Sequence, residues 1–178
     1  MIRFPSDPSI LERALPKAHD YSAFHPFIKG VFSQWHPTPF ELDDLSFGCA
    51  EQYMMAAKAS LFEDAVIFDK IMATDDPALQ KRLGARIRAF DEAVWHLWRI
   101  HIMYRANLAK YSQNDGAARQ LRNTAPSMLV EANPRDWNWG NGLQIDDPAN
   151  HDPNQWRGAN LLGRVLTAAR IEINFAQN

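Results

Sequence analysis

The chain has 178 residues, one domain's worth at about 100–200 residues per domain, and its 46% hydrophobic and 22% charged residues supply a sizeable core and exclude a mainly disordered chain. Nineteen Lys and Arg against 21 Asp and Glu leave a net charge of −2. No global field draws the molecule to nucleic acid or an anionic membrane, and only a local basic patch stays open.

A single cysteine, Cys49, can form neither an internal disulfide nor a thiolate metal site on its own, and a buried structural thiol is its expected role. The opening residues lack a signal-peptide core, and no apolar run reaches the roughly 18 residues of a membrane span. The expectation is a reduced, cytoplasmic protein.

In chain order, residues 1–30 carry Pro5, Pro8, Pro16 and Pro26 and read as an irregular arm with one short helix near 10–14. Residues 31–48 read as extended, because Pro37 and Pro39 push their predecessors out of the helical region. A helix over 49–62 puts Ala50, Tyr53, Met54, Ala57 and Leu61 on one stripe. Residues 65–72 either continue it after a kink or start a new turn. Thr74-Asp-Asp-Pro77 supplies caps and a first-turn proline for a helix to about residue 87. Asp91-Glu92 opens a longer helix to 110 or 111, and Asn114-Asp-Gly caps a short one over 117–122. Residues 128–132 are either a strand or an extended connector. Residues 133–157 lack periodicity, and connections of that length are often functional. A closing helix from Gly158 shows Leu161, Leu162, Val165, Leu166, Ala169 and Ile173 as its apolar face. The fold expected is mainly α: a single compact helical domain over 31–178 with little or no short β structure.

Glu51 and Lys58 lie seven apart, two turns along one helix, at the edge of the apolar stripe. Partial burial there shifts proton affinities, so the carboxylate can move a proton or steady a cation, and a desolvated amine can attack a carbonyl. The plainer alternative is ordinary surface charge. Asp136-Trp-Asn-Trp139-Gly140-Asn-Gly142 sets two indoles beside an acid, with glycines allowing close backbone approach. That suits stacking on a base or sugar, or a loop that only covers the core. Arg157-Gly-Ala-Asn160 sits where the last helix begins, a possible phosphate site built on free backbone donors.

Other patterns are discounted. His96 and His101 are five apart, not the four of a helical zinc pair. Asp146, Asp147 and Asp152 lack calcium-loop alternation. Lys81, Arg82, Arg86 and Arg88 read as a solvated basic face.

Together, Phe32-Ser-Gln-Trp35, Cys49-Ala-Glu-Gln-Tyr-Met-Met-Ala-Ala-Lys-Ala59, Pro77 with Lys81-Arg-Leu-Gly84, Trp95, Lys110-Tyr-Ser-Gln-Asn114, Glu131, Asp136-x-x-Trp139-Gly-x-Gly142 and Gly158-x-Asn160-Leu-Leu-Gly163 resemble the NADAR (YbiA-like, RibX) family of N-glycosidases. The resemblance covers roughly 31–173 and leaves the first 30 residues outside. It implies a YbiA-like helical domain that splits 5-phosphoribosylamino-pyrimidine intermediates of riboflavin biosynthesis, giving ribose 5-phosphate and the free aminopyrimidine. Other members remove ADP-ribose from guanine; a non-catalytic nucleotide-sensing module is the further alternative.

Carried onto this chain, the resemblance implies Glu51, Lys58 and Asp136 as catalytic residues. Substrate contacts would come from Trp35, Trp95, Trp139, Gly140, Arg157 and Asn160. Glu51 and Asp136 would divide proton transfer and negative charge, while Lys58 would form a Schiff base or neutralise the phosphate. No metal or organic cofactor is expected. The partner is a small phosphoribosyl or nucleotide-like molecule, with nucleic acid only under the ADP-ribose alternative, and no oligomeric state is implied.

Overall fold

The computed structural model describes residues 1–8 and 10–175. In chain order it forms β1 (Phe24–Phe27), β2 (Phe40–Leu42), β3 (Leu45–Phe47), α1 (Ala50–Leu61), α2 (Ala65–Met72), α3 (Pro77–Gly84), α4 (Glu92–Ser112), α5 (Asp115–Arg122), β4 (Met128–Glu131) and α6 (Leu161–Phe175). Helix dominates, as the periodicity predicts. The expectation of little or no β structure needs correction, because two small sheets hold the framework.

The first sheet is a parallel pair, β1 against β4, registered from Phe24 opposite Met128 to Phe27 opposite Glu131. Met128, Leu129 and Val130 are fully buried. The far edge of β4 is served by α6: Asn160 accepts from Glu131 N–H at 2.9 Å and donates to the Leu129 carbonyl at 3.0 Å, and Thr167 Oγ1 accepts from Leu129 N–H at 3.1 Å. The backbone of a four-residue strand thus has partners on both sides, main chain from β1 and side chains from Asn160 and Thr167. The close approach depends on Gly163, where an added Cβ would sit 2.1 Å from the Leu129 carbonyl oxygen. Backbone cannot yield as a side chain end can, so Gly163→Ala is expected to cost about 2–3 kcal/mol, read as a lower urea midpoint at unchanged slope.

The second sheet is a hairpin, β2 with β3. Asp43 and Asp44, with φ of 56° and 60°, form its two-residue turn. Positive φ at both positions matches the type I′ turns that suit strand twist. Asp43 takes a two-pronged bond from Arg105 of α4, at 2.6 and 3.2 Å, and a bond from the Tyr53 hydroxyl of α1 at 3.3 Å. The hairpin is therefore tied to both central helices.

The residues read as an irregular arm include β1, short 3₁₀ turns at Glu12–Ala14 and Ala18–Asp20, and the buried Ile2 and Leu15. The short helix expected near 10–14 is the first of those turns. Segment 65–72 is a separate helix, capped by Asp64 accepting from Ile67 N–H. Asp76 and Asp91 cap α3 and α4 through Ala78 and Val94 N–H, as the sequence predicts. α1 is buried almost all round, from Ala50 through Ala57, rather than on one stripe. It packs against α2, α3 and α4, while α6 lies across α4 and β4. No helix among the described residues is long and apolar enough to cross a membrane.

Candidate active site

Between α1, the end of α3, the first turns of α4 and the loop after β4 lies a cavity of about 670 Å³. It is lined by Glu51, Lys58, Asp136, Trp35, Trp95 and Trp139, six of the nine residues singled out from the sequence. Its wall also takes in Glu131, Lys81, Asn133 and Arg135.

The edge of the cavity nearest α1 is built by a 3₁₀ turn, Gly30–Phe32, and the tight turn that follows it, where the sequence reading expects extended chain from residue 31. The fold bends here because α4 pins the segment. Lys110, fully buried, donates its ammonium to the carbonyls of Val31 at 2.7 Å and Ser33 at 3.0 Å, and the Tyr111 hydroxyl donates to Val31 at 3.0 Å. Asn107 and Gln34 exchange side-chain amide bonds at 3.0 and 3.1 Å. Glu51 N–H in the first turn of α1 donates to the Gln34 carbonyl at 3.0 Å. With its base fixed, Trp35 stands 44% exposed and hydrogen-bonds the Glu51 carboxyl through its indole.

Glu51 is 6% exposed, so its placement at the edge of a stripe ends as burial and not as surface charge. Burial pushes its carboxyl up to about 7; Lys81 and the Trp35 bond pull against that rise, and Asp136 adds to it. Lys58 is half-buried, donates to the Gly84 carbonyl at 3.2 Å, and lies 4.2 Å from the Phe90 ring centroid and 5.3 Å from that of Trp95. Burial lowers its proton affinity. An amine so held is closer to the free nucleophile than a solvated one.

Asp136 opens the Trp-Gly loop with an Asx turn: its Oδ1 accepts from the N–H groups of Asn138 at 3.0 Å and Trp139 at 2.8 Å. That turn aims Trp139 at the cavity. Trp137 goes outward instead, 59% exposed, with its indole on the Pro134 carbonyl. The expected pair of indoles is thus split, and Trp35 and Trp95 supply the other aromatic faces.

Gly140, Arg157 and Asn160 are not brought to the cavity. The helix start read as a source of free donors spends them on the Trp-Gly loop. Ala159, Asn160, Leu161 and Leu162 N–H groups donate to the carbonyls of Trp137, Gly140, Asn138 and Trp139 at 2.8–3.1 Å. Arg157 and Gly158 both donate to Asn141 at 2.9 Å, and an added Cβ on Gly158 would meet the Gly140 oxygen at 2.3 Å. Gly140 and Gly158 are packing glycines, the Arg157 side chain is exposed, and Asn160 bridges to β4. Helix ends donate to whatever acceptor is nearest, and here the chain provides its own.

Glu131 and Lys81 are the site residues that residue-by-residue reading overlooked. The first ends a strand and the second sat in a solvated basic cluster. Of that cluster, Arg88 is taken up by Asp64, which it grips through backbone N–H, Nε and Nη2 at 3.0–3.2 Å. Asp147 and Asp152 cap 3₁₀ turns in the long loop, accepting from Ala149 and Asn154 N–H. Cys49 is buried and faces Gln80 at 3.4 Å, and burial raises its thiol.

The NADAR domain family matches residues 23–174. The chain is 41% identical over 147 residues to an N-glycosidase of Acanthamoeba polyphaga mimivirus, covering 80% of this chain and 86% of that protein. It is 31% identical over 158 residues to riboflavin biosynthesis protein PYRR of Zea mays, covering 82% of this chain and 24% of that longer protein. The NMR structure of the E. coli protein YbiA superposes with a TM-score of 0.72 at 25% identity, covering 88% of each chain. A match that runs from β1 through α6, and so takes in both the cavity and the framework that shapes it, makes the chain a member of the NADAR domain family.

Proposed function

We propose that the protein is a cytoplasmic N-glycosidase that hydrolyses 5-phosphoribosylamino-pyrimidine intermediates of riboflavin biosynthesis, releasing ribose 5-phosphate and the free aminopyrimidine. The observation that carries this reading is Glu51. It is a buried carboxyl poised near neutrality, in an aromatic-walled cavity that also holds Asp136 and Lys58. The names of the mimiviral and maize relatives support the reaction and the substrate class respectively.

Breaking a ribosylamine bond requires a proton for the departing nitrogen and negative charge near the anomeric carbon. Glu51 and Asp136 divide the proton transfer and the charge, and Trp35, Trp95 and Trp139 offer faces for the pyrimidine. Lys58 opens a second route: the C1′–O4′ bond breaks to open the ring, and the Lys58 amine adds to C1′. The aminopyrimidine nitrogen takes a proton and leaves with the electrons of the C1′–N bond, and water hydrolyses the resulting Schiff base to ribose 5-phosphate and the free amine. Neither route calls for a metal or an organic cofactor.

The test mixes purified protein with freshly made 5-amino-6-(5-phosphoribosylamino)uracil in EDTA and follows ribose 5-phosphate by mass spectrometry. Release above the spontaneous rate is expected. On the Schiff-base route, borohydride added during turnover leaves a mass increment on Lys58; absence of the adduct while turnover continues assigns direct hydrolysis. Lys81 on the cavity wall and the exposed Arg86 beyond α3 favour one second reading, removal of ADP-ribose from guanine. Release from an ADP-ribosylated guanine oligonucleotide, with none from the ribosylaminopyrimidine, would select it. Thermal stabilisation by either ligand without product would leave a sensing module.

A further inference from the structure

Glu131 is the last residue of β4, and three backbone bonds fix it there. Its N–H donates to Asn160 Oδ1 at 2.9 Å, and its carbonyl accepts from Asn141 N–H at 2.8 Å and Asn133 N–H at 3.0 Å. The side chain leaves this rigid anchor and lines the cavity. Its Oε2 is buried with no hydrogen-bond partner, while the Asn133 side chain bonds the carboxyl. A buried, unmet carboxyl oxygen costs free energy unless it holds a proton or awaits a donor from a ligand. The charged groups that act on it are Asp136 of the following loop, Glu51 of α1 and Lys81 of α3, while Lys58 and Arg135 share the same wall.

We infer that Glu131 is a further catalytic residue of this cavity, the acid that protonates the departing nitrogen. The inference rests on the N-glycosidase reading above. In direct hydrolysis the Glu131 proton passes to the glycosidic nitrogen as the C1′–N bond breaks and its electron pair goes to that nitrogen. Water then bonds to C1′ and gives its proton to Glu51, and Asp136 supplies negative charge to the ribosyl cation between the two steps. A proton moving from Glu51 to Glu131 through solvent restores the starting state. Each carboxyl has one side-chain donor, Trp35 on Glu51 and Asn133 on Glu131, and the second oxygen of Glu131, Oε2, is buried without a partner and is left to carry the proton or to meet the ligand. Burial first, then Asp136, pushes Glu131 up to about 7, so the acid form is populated at neutral pH.

The test compares wild type with Glu131→Gln and Glu131→Asp on the ribosylaminopyrimidine across pH 5–9. Gln keeps the shape and carries no proton. Glu131→Gln is expected to lower kcat about 10²–10³-fold with KM within about threefold, and Glu131→Asp to recover part of kcat. The wild-type rate, which falls as pH rises through about 7 because the acid form is lost, becomes flat on that side in the Gln variant. A Gln variant with kcat within threefold of wild type and the same alkaline limb overturns the inference and leaves the N-glycosidase reading standing. So does a variant slowed at every pH with the limb intact and a lowered thermal midpoint, which marks a structural role. If wild type releases nothing from the ribosylaminopyrimidine, the riboflavin reading fails. The same variants are then compared on ADP-ribosylated guanine, and no release there either overturns the inference as well.

Discussion

Glu51→Gln is expected to lose activity and gain stability together. Removing the exchangeable proton from a buried acid–base group costs about 10²–10⁴-fold in rate. The stability change has the opposite sign. The Glu51 carboxyl is held near 7 in the folded chain against an ordinary value of 4.5, so the folded state favours its protonated form. Its contribution is fully present below about 4.5 and is lost as pH rises through 7, where the buried charge becomes a cost. Gln never carries that charge and can still accept the Trp35 bond. The variant is therefore expected to be more stable than wild type at pH 8, by about 1–3 kcal/mol, and to converge with it near pH 4. Calorimetry at the two pH values decides this. A variant destabilised at pH 8 would mean that the carboxylate is a structural partner, and loss of turnover would then no longer point to chemistry.

Asn160→Ala carries the second large effect, on the fold itself. The side chain serves two backbone groups of β4, and truncation leaves the Glu131 N–H and the Leu129 carbonyl, both inside the molecule, without those partners. Each such loss costs about 1–3 kcal/mol, so a total of about 2–6 kcal/mol is expected, read as a lower urea midpoint. Because Glu131 hangs from the same bond, kcat falls in the folded fraction while KM for the phosphorylated substrate stays near wild type. A raised KM at unchanged stability would return Asn160 to the phosphate-binding role that its position in the motif implies.

Both expectations depend on facts that local sequence carries only in part. The helices were legible because their signals are local: the apolar spacing of α4 and α6, and the Asp-Pro and Asp-Glu starts that cap α3 and α4. The parallel pairing of Phe24–Phe27 with Met128–Glu131 was not legible, since a hundred residues separate the partners and Pro26 argues against a strand. Likewise nothing near Lys110 signals that its ammonium will be spent on Val31 and Ser33, far back in the chain. A buried lysine looks like a surface one until the acceptors arrive.

The candidate site divides along the same line. Residue types and their order are legible in the chain: an acid and an amine two turns apart on one helix, and an acid-indole-glycine loop before the last helix. Those are one-dimensional facts, set by helical periodicity and by the turn chemistry of Asp and Gly. Which of these groups lose water depends on packing between distant segments. Glu51 and Glu131 are raised because chain from distant parts of the sequence closes over them. The helix start at Arg157–Asn160 is closed to an anion because the Trp-Gly loop folds back and takes its donors. Desolvation and the competition for backbone donors belong to the packed chain as a whole, and no window of sequence contains them.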